Sequence, residues 1–121
     1  MADSPIHSIN AVTLATQDMG LAIAFYEALG FKKKYGDPQA QISSFYCGES
    51  FLNIVKAPSG KKISWWGRVI FHVDDVDAMF ARFKDNGFTV ETEPRDAEWG
   101  ERYFHALDSD GHELSFAKFL A

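Results

Sequence analysis

The sequence predicts an α+β fold of two tandem βαβββ modules, forming curved mixed sheets around a cleft. Three observations predict it. The chain repeats itself at an offset of 57 positions. Each copy opens with a short apolar run, followed by an acid-capped helix that ends at a glycine. Each copy closes on two strand-like runs about a polar turn.

The repeat needs no gap. Val12 aligns with Val69, Asp18 with Asp75, Ala24 with Ala81, Gly30 with Gly87 and Phe31 with Phe88, while Tyr26 meets the aromatic Phe83. Fixed-period self-similarity marks a repeated structural unit. The first runs, residues 9–16 and 69–73, are short and rich in β-branched or aromatic residues, as strands are. Asp18 and Asp74 or Asp75 then stand at helix starts, where a carboxylate accepts from first-turn amides. Leu21, Phe25, Ala28 and Leu29 recur at helical spacing, as do Val76, Met79, Phe80 and Phe83. Gly30 and Gly87 fit the left-handed position past a helix end. Phe and an extended segment follow each.

Hairpins close both copies. Residues 42–47 and 51–56 flank Gly48-Glu49-Ser50, and residues 102–107 and 113–119 flank Asp108-Ser109-Asp110-Gly111. Both turns hold residues that tolerate positive φ or bond their own backbone. Ala57-Pro58-Ser59-Gly60-Lys61-Lys62 is a linker by composition. The expected modules are residues 1–60 and 61–121. A half of about 60 residues buries little apolar surface alone. It should pack on a partner half, from the same chain or a second one, and leave a cleft for a small ligand.

Composition narrows the function classes. The 121 residues are 46% hydrophobic and 24% charged, ordinary for a globular domain. A net charge of −5 with no basic stripe argues against nucleic acid as a partner. Lys32-Lys33-Lys34 reads as a solvated cationic face after a helix end. One cysteine, Cys47, allows no intrachain disulfide and suits a cytoplasmic setting; its apolar neighbours favour a packed thiol over a catalytic one. Met1-Ala2-Asp3-Ser4-Pro5 lacks the pattern of a signal peptide, and no apolar run reaches membrane-spanning length. No membrane partner is expected.

Three stretches resemble the vicinal oxygen chelate superfamily of glyoxalases, bleomycin-resistance proteins and dioxygenases. Ala24-Phe25-Tyr26-Glu27-Ala28-Leu29-Gly30-Phe31 is similar to that family's A-F-Y-x-x-L-G-F helix end. Phe71-His72-Val73-Asp74-Asp75-Val76-Asp77 is similar to the entry of its second helix. Trp99-Gly100-Glu101-Arg102-Tyr103-Phe104, with residues 108–116, resembles the ending most typical of the bleomycin-resistance-like branch. The resemblance implies a homodimer and a cleft, and it identifies the fold better than the activity.

In metal-using relatives, four strands each offer one ligand to the cleft. The resemblance carries these positions to Ala11, Asn53, Arg68 and Ser115. Ala11 has no donor atom, and Arg68 is a permanent cation with no lone pair. Asn53 and Ser115 are weak ligands for a catalytic divalent ion. The expectation is therefore no metal and no cofactor. Arg68 reads either as an anchor for a carboxylate or phosphate or as a structural partner of Glu113 or Glu49.

Strand alternation places His72 on the face of Arg68 and His105 on that of Tyr103, with His105 across the hairpin from Ser115. These are cleft groups; His7 and His112 are expected to be solvated. One of Trp65 and Trp66 is free to stack on a flat ligand, or else packs at a dimer contact or core edge. Trp99 reads as packing or cleft wall. The candidate ligand-binding set is Arg68, His72, Asn53, Ser115, Tyr103, His105, Trp66 and Trp99. The expected function is metal-free sequestration of a small planar or anionic molecule, without catalysis. The alternatives are a metal-dependent lyase or dioxygenase using His72, His105 and Glu113, and a degenerate member kept for partner binding.

Overall fold

A computed structural model describes residues 4–121. Residues 1–3, which bear on the signal-peptide expectation, lie outside the described residues. The first module runs β1 (Ala11–Thr16), α1 (Met19–Ala28), β2 (Lys33–Tyr35), β3 (Ile42–Cys47) and β4 (Ser50–Lys56). The second runs β5 (Arg68–His72), α2 (Val76–Asp85), β6 (Arg95–Asp96), β7 (Glu101–Leu107) and β8 (Glu113–Phe119). Each module forms one four-stranded mixed sheet, ordered β1-β4-β3-β2 and β5-β8-β7-β6. The first strand pairs in parallel with the last, and the hairpin pairs antiparallel.

The helix boundaries follow from local chemistry. Asp18 and Asp75 cap α1 and α2, each accepting from the backbone N–H three residues on at 3.0 Å. Such a cap contributes about 1 kcal/mol. Both helices stop in the same way. Phe31 and Phe88 donate to the carbonyls of Tyr26 and Phe83 at 3.1 and 2.9 Å. Gly30 and Gly87 sit between at φ of +102° and +69°. This closure needs a left-handed residue past the last turn, so both copies use glycine.

The helical sides of both sheets meet in one core. Leu14, Phe45, Leu52 and Ile54 from the first sheet and Phe71, Phe104, Leu114 and Phe116 from the second are all buried within it. Phe25 of α1 packs against Phe83 and Phe88 of the second module at ring distances of 5.7 and 4.6 Å. Each such ring contributes roughly 2–3 kcal/mol on burial. The other face of each sheet therefore looks away from the shared core.

Two local expectations change, and that of a solvated lysine run holds. Leu21, assigned to the buried helix face, is 61% exposed; Met19, Ala22, Ile23, Phe25 and Tyr26 are buried instead. Helix α1 is apolar nearly all round and is packed from two sides, so periodicity alone does not choose its face. The lysines after α1 are exposed, and two of them form the edge strand β2, with Lys34 Nζ lying 4.3 Å from the Phe51 ring centre. Charged edge residues discourage edge-to-edge pairing. The extended segment after Gly87 pairs only through one bridge, Val90 to Ala106, before the two-residue β6.

Candidate functional site: the outward face of the second sheet

Alternation along β5, β7 and β8 sorts the residues. Val69, Phe71, Phe104, Ala106, Leu114 and Phe116 join the core. Arg68, Ile70, His72, Tyr103, His105, Glu113 and Ser115 take the opposite face. The register sets Arg68 opposite Glu113, and Ser115 between Ile70 and His105.

This juxtaposition builds a connected polar cluster. The Arg68 guanidinium donates to Glu113 Oε1 at 2.5 Å, to the Leu114 carbonyl at 2.9 Å and to Ser115 Oγ at 3.1 Å. Glu91 Oε1 lies 3.6 Å from the same guanidinium. Of the two structural partners weighed for Arg68, Glu113 is the one it meets. Ser115 is buried, and its hydroxyl also lies 2.6 Å from His105 Nδ1. Arg68 can only donate, so the serine proton is free to turn toward His105. That hydrogen bond leaves the His105 proton on Nε2. Burial, and then the charge of Arg68, hold the imidazole below its ordinary range.

Aromatic groups continue the cluster. Tyr103 packs on His105 at a ring distance of 5.1 Å, and Trp99 stacks on Tyr103 at 5.7 Å with 29° between planes. The Tyr103 hydroxyl accepts from Arg95 at 2.6 and 2.9 Å. Trp99 is 68% exposed, and Ile70 is 64% exposed. The face therefore offers a flat apolar shelf beside the His105 imidazole and a paired guanidinium.

Other predicted residues lie apart from this cluster. His72 occupies the far end of β5, opposite Ala117 and 5.9 Å from the Phe119 ring. Asn53 belongs to the first sheet, where it accepts from Ser44 at 2.8 Å and reaches Thr13. Trp66 precedes β5 and donates its indole N–H to His112 Nδ1 at 2.7 Å. His112, expected to be solvated, is buried at 5% exposure, with Nε2 2.7 Å from the Ala15 carbonyl. An indole N–H only donates, so His112 Nδ1 accepts from Trp66 and Nε2 faces the Ala15 carbonyl as donor. Its turn folds back against β1 of the other module, which is why a turn residue becomes buried.

Sequence reasoning missed Glu91, Arg95 and the inter-module role of His112. Glu91 lies in irregular chain and Arg95 in the two-residue strand β6, both too short of pattern for periodicity to signal a face. Within its own turn His112 is held by Asp108, whose Oδ1 accepts its backbone N–H at 2.9 Å, and nothing local signals its contact with the other module.

A metal ion does not fit the four positions that the resemblance implies. Ala11 offers no donor, Arg68 is a cation, and the Ser115 hydroxyl is already held between Arg68 and His105. The Asn53 Oδ1 atom is already taken by the Ser44 hydroxyl. A guanidinium bonded to the same hydroxyl would repel a divalent ion strongly at that range. Among the described residues no three His, Cys, Asp or Glu side chains gather as a ligand set.

Two βαβββ units with parallel first-to-last strand pairing define a glyoxalase-type fold. A family model described as Glyoxalase/Bleomycin resistance protein/Dioxygenase superfamily matches residues 8–116. The chain belongs to that superfamily. No curated protein matches the sequence. Among solved structures, it is similar to lactoylglutathione lyase from Agrobacterium tumefaciens, at 22% identity and TM-score 0.76, covering 95% of this chain and 96% of that one. TioX from Micromonospora sp. ML1 is 24% identical with TM-score 0.77, over 94% and 100% of the two chains. A glyoxalase/dioxygenase from Nostoc punctiforme reaches TM-score 0.80 at 15% identity, over 100% and 97%. At these identities the likeness speaks to the fold. No helix of the described residues is long and apolar enough to cross a membrane.

Proposed function

We propose that this chain binds a flat, largely apolar small molecule without a metal ion, on the outward face of the second sheet. The observation that carries the reading is Arg68, a guanidinium bonded to Glu113 and Ser115 where the resemblance implies a metal ligand in other members. The Trp99–Tyr103–His105 shelf beside it suits ring stacking. Glu113 and Glu91 offset the Arg68 charge, so this face favours planarity in its ligand over negative charge. The tryptophan-to-phenylalanine motif over residues 99–104 supports placement in the bleomycin-resistance-like branch.

The reading includes a homodimer. Both sheets turn their helical sides into one shared core, so a cleft over the outward face needs a second copy of the chain. Exposed Ile70, Trp99 and Phe119 are the apolar groups that copy would cover. Sedimentation should give twice 13.6 kDa for the native chain and a monomer for Ile70→Lys.

Binding is tested by thermal shift with a panel of neutral bicyclic aromatics on chelator-treated protein. Stabilisation by at least one, lost in Trp99→Ala and Tyr103→Ala, supports the reading. Stabilisation by none, or a requirement for stoichiometric Zn, Ni, Mn or Fe by elemental analysis, overturns it.

A further inference from the structure

The linker between the modules builds a second cavity, away from the Arg68 cluster. It is an open-sided cavity of about 310 Å³. Its floor is the outward face of the first sheet, through Thr13, Ala15 and Val55. The linker folds back as a wall and is pinned there. Ala57 N–H donates to the Thr16 carbonyl at 2.8 Å, and Gln17 Nε2 donates to the Lys61 carbonyl at 3.1 Å. Trp66 forms one side, and its indole is fixed by the bond to His112. A ring held in one rotamer by a hydrogen bond loses little entropy when a ligand stacks on it.

The charge around this cavity is one-signed. Lys56, Lys61 and Lys62 line it, and no carboxylate does. This is a local cationic cluster in a chain of net charge −5. The contrast with Arg68 is direct, because that cation meets two carboxylates within 4 Å while no Asp or Glu lines this cavity. An apolar floor, one oriented indole and three lysines with no carboxylate among the lining residues suit one class of occupant.

The geometry points to a binding site for a small flat aromatic acid: rings against Trp66 and Val55, carboxylate toward Lys61 and Lys62. The site is independent of the second-sheet shelf, and either can fail alone. The volume admits a bicyclic ring system. The ammonium groups are exposed and rotatable, so they confer charge preference with loose geometry. Affinity for the acid is accordingly salt-dependent.

The test compares 1-naphthoate with its neutral isostere 1-naphthamide, by calorimetry and by nitrogen–proton correlation spectra of the intact chain. The expected result is 1:1 binding of naphthoate at least tenfold tighter than the amide. Raising salt from about 50 to 500 mM should narrow that ratio. The Trp66 indole N–H resonance should move while that of Trp99 stays. Lys61→Ala with Lys62→Ala, both at exposed positions, should lose most of the preference for the acid while the spectrum stays that of the folded chain. Equal affinity for acid and amide overturns the proposal. So does an unchanged preference in the double variant, a shift at Trp99 alone, or no binding of naphthoate.

Discussion

Tyr26 and Asp108 stand 82 residues apart in the chain and share a buried 2.7 Å hydrogen bond. The phenol comes from α1 of the first module and the carboxylate from the β7–β8 turn of the second. Burial raises the Asp108 carboxyl above its ordinary range, and burial together with Asp108 raises the Tyr26 phenol, so Tyr26 stays a donor. Tyr26→Phe should cost about 2 kcal/mol, since it leaves a buried acceptor one partner short. Urea unfolding of the wild type, Tyr26→Phe, Asp108→Ala and the double variant measures the coupling. Additive single effects would show that the bond carries nothing.

Arg68 should matter to stability through its planar fork. Arg68→Met leaves Glu113 without its 2.5 Å donor and Ser115 without one of its two partners. The expected cost is about 1–3 kcal/mol, and Arg68→Lys should recover only part of it, because an ammonium cannot span three acceptors in that geometry. Full recovery by lysine, read from denaturation midpoints, would mean that charge alone is used.

His105 should make stability depend on pH. Its folded form holds the proton less tightly than an ordinary imidazole, chiefly through burial. The unfolded chain therefore takes up a proton first as pH falls. The contribution is complete above an ordinary histidine pKa of about 6.5 and declines as pH drops below it toward the folded value. Melting temperatures between pH 7.5 and 5 should fall more steeply for the wild type than for His105→Asn. Parallel slopes would remove His105 from the account.

Two glycines at positive φ should respond differently to alanine. Gly36 has φ of +116°, and an added Cβ would lie 2.8 Å from the Ser43 Cα and closer still to its side chain. Gly87 has φ of +69° and nothing within 4 Å. Gly87→Ala should cost about 1–2 kcal/mol, the backbone penalty alone. Gly36→Ala adds a clash with backbone and should cost about 2–4 kcal/mol. Chemical denaturation separates the two, and equal costs would show that Ser43 moves aside freely.

The repeat made the architecture legible. Asp18 and Asp75, Gly30 and Gly87, and the two hairpin turns act locally, so chain order alone reveals them. The positions of Arg68, Ser115, His105 and Tyr103 on one face were readable because strand alternation has a fixed period. The partners of those residues were not readable. Glu91 reaches Arg68 from irregular chain, and His112 is buried only because the other module lies over its turn. Leu21 misled for a related reason: a helix covered on two sides shows no single apolar stripe.

The contact of Phe25 with Phe83 and Phe88 has a thermodynamic consequence. A duplicated sequence invites the picture of two units that melt one after the other. With a ring of one half seated among the rings of its twin, opening either half strips apolar cover from both. The duplication is thus erased energetically, and the chain should lose its order in one cooperative step whatever its ancestry.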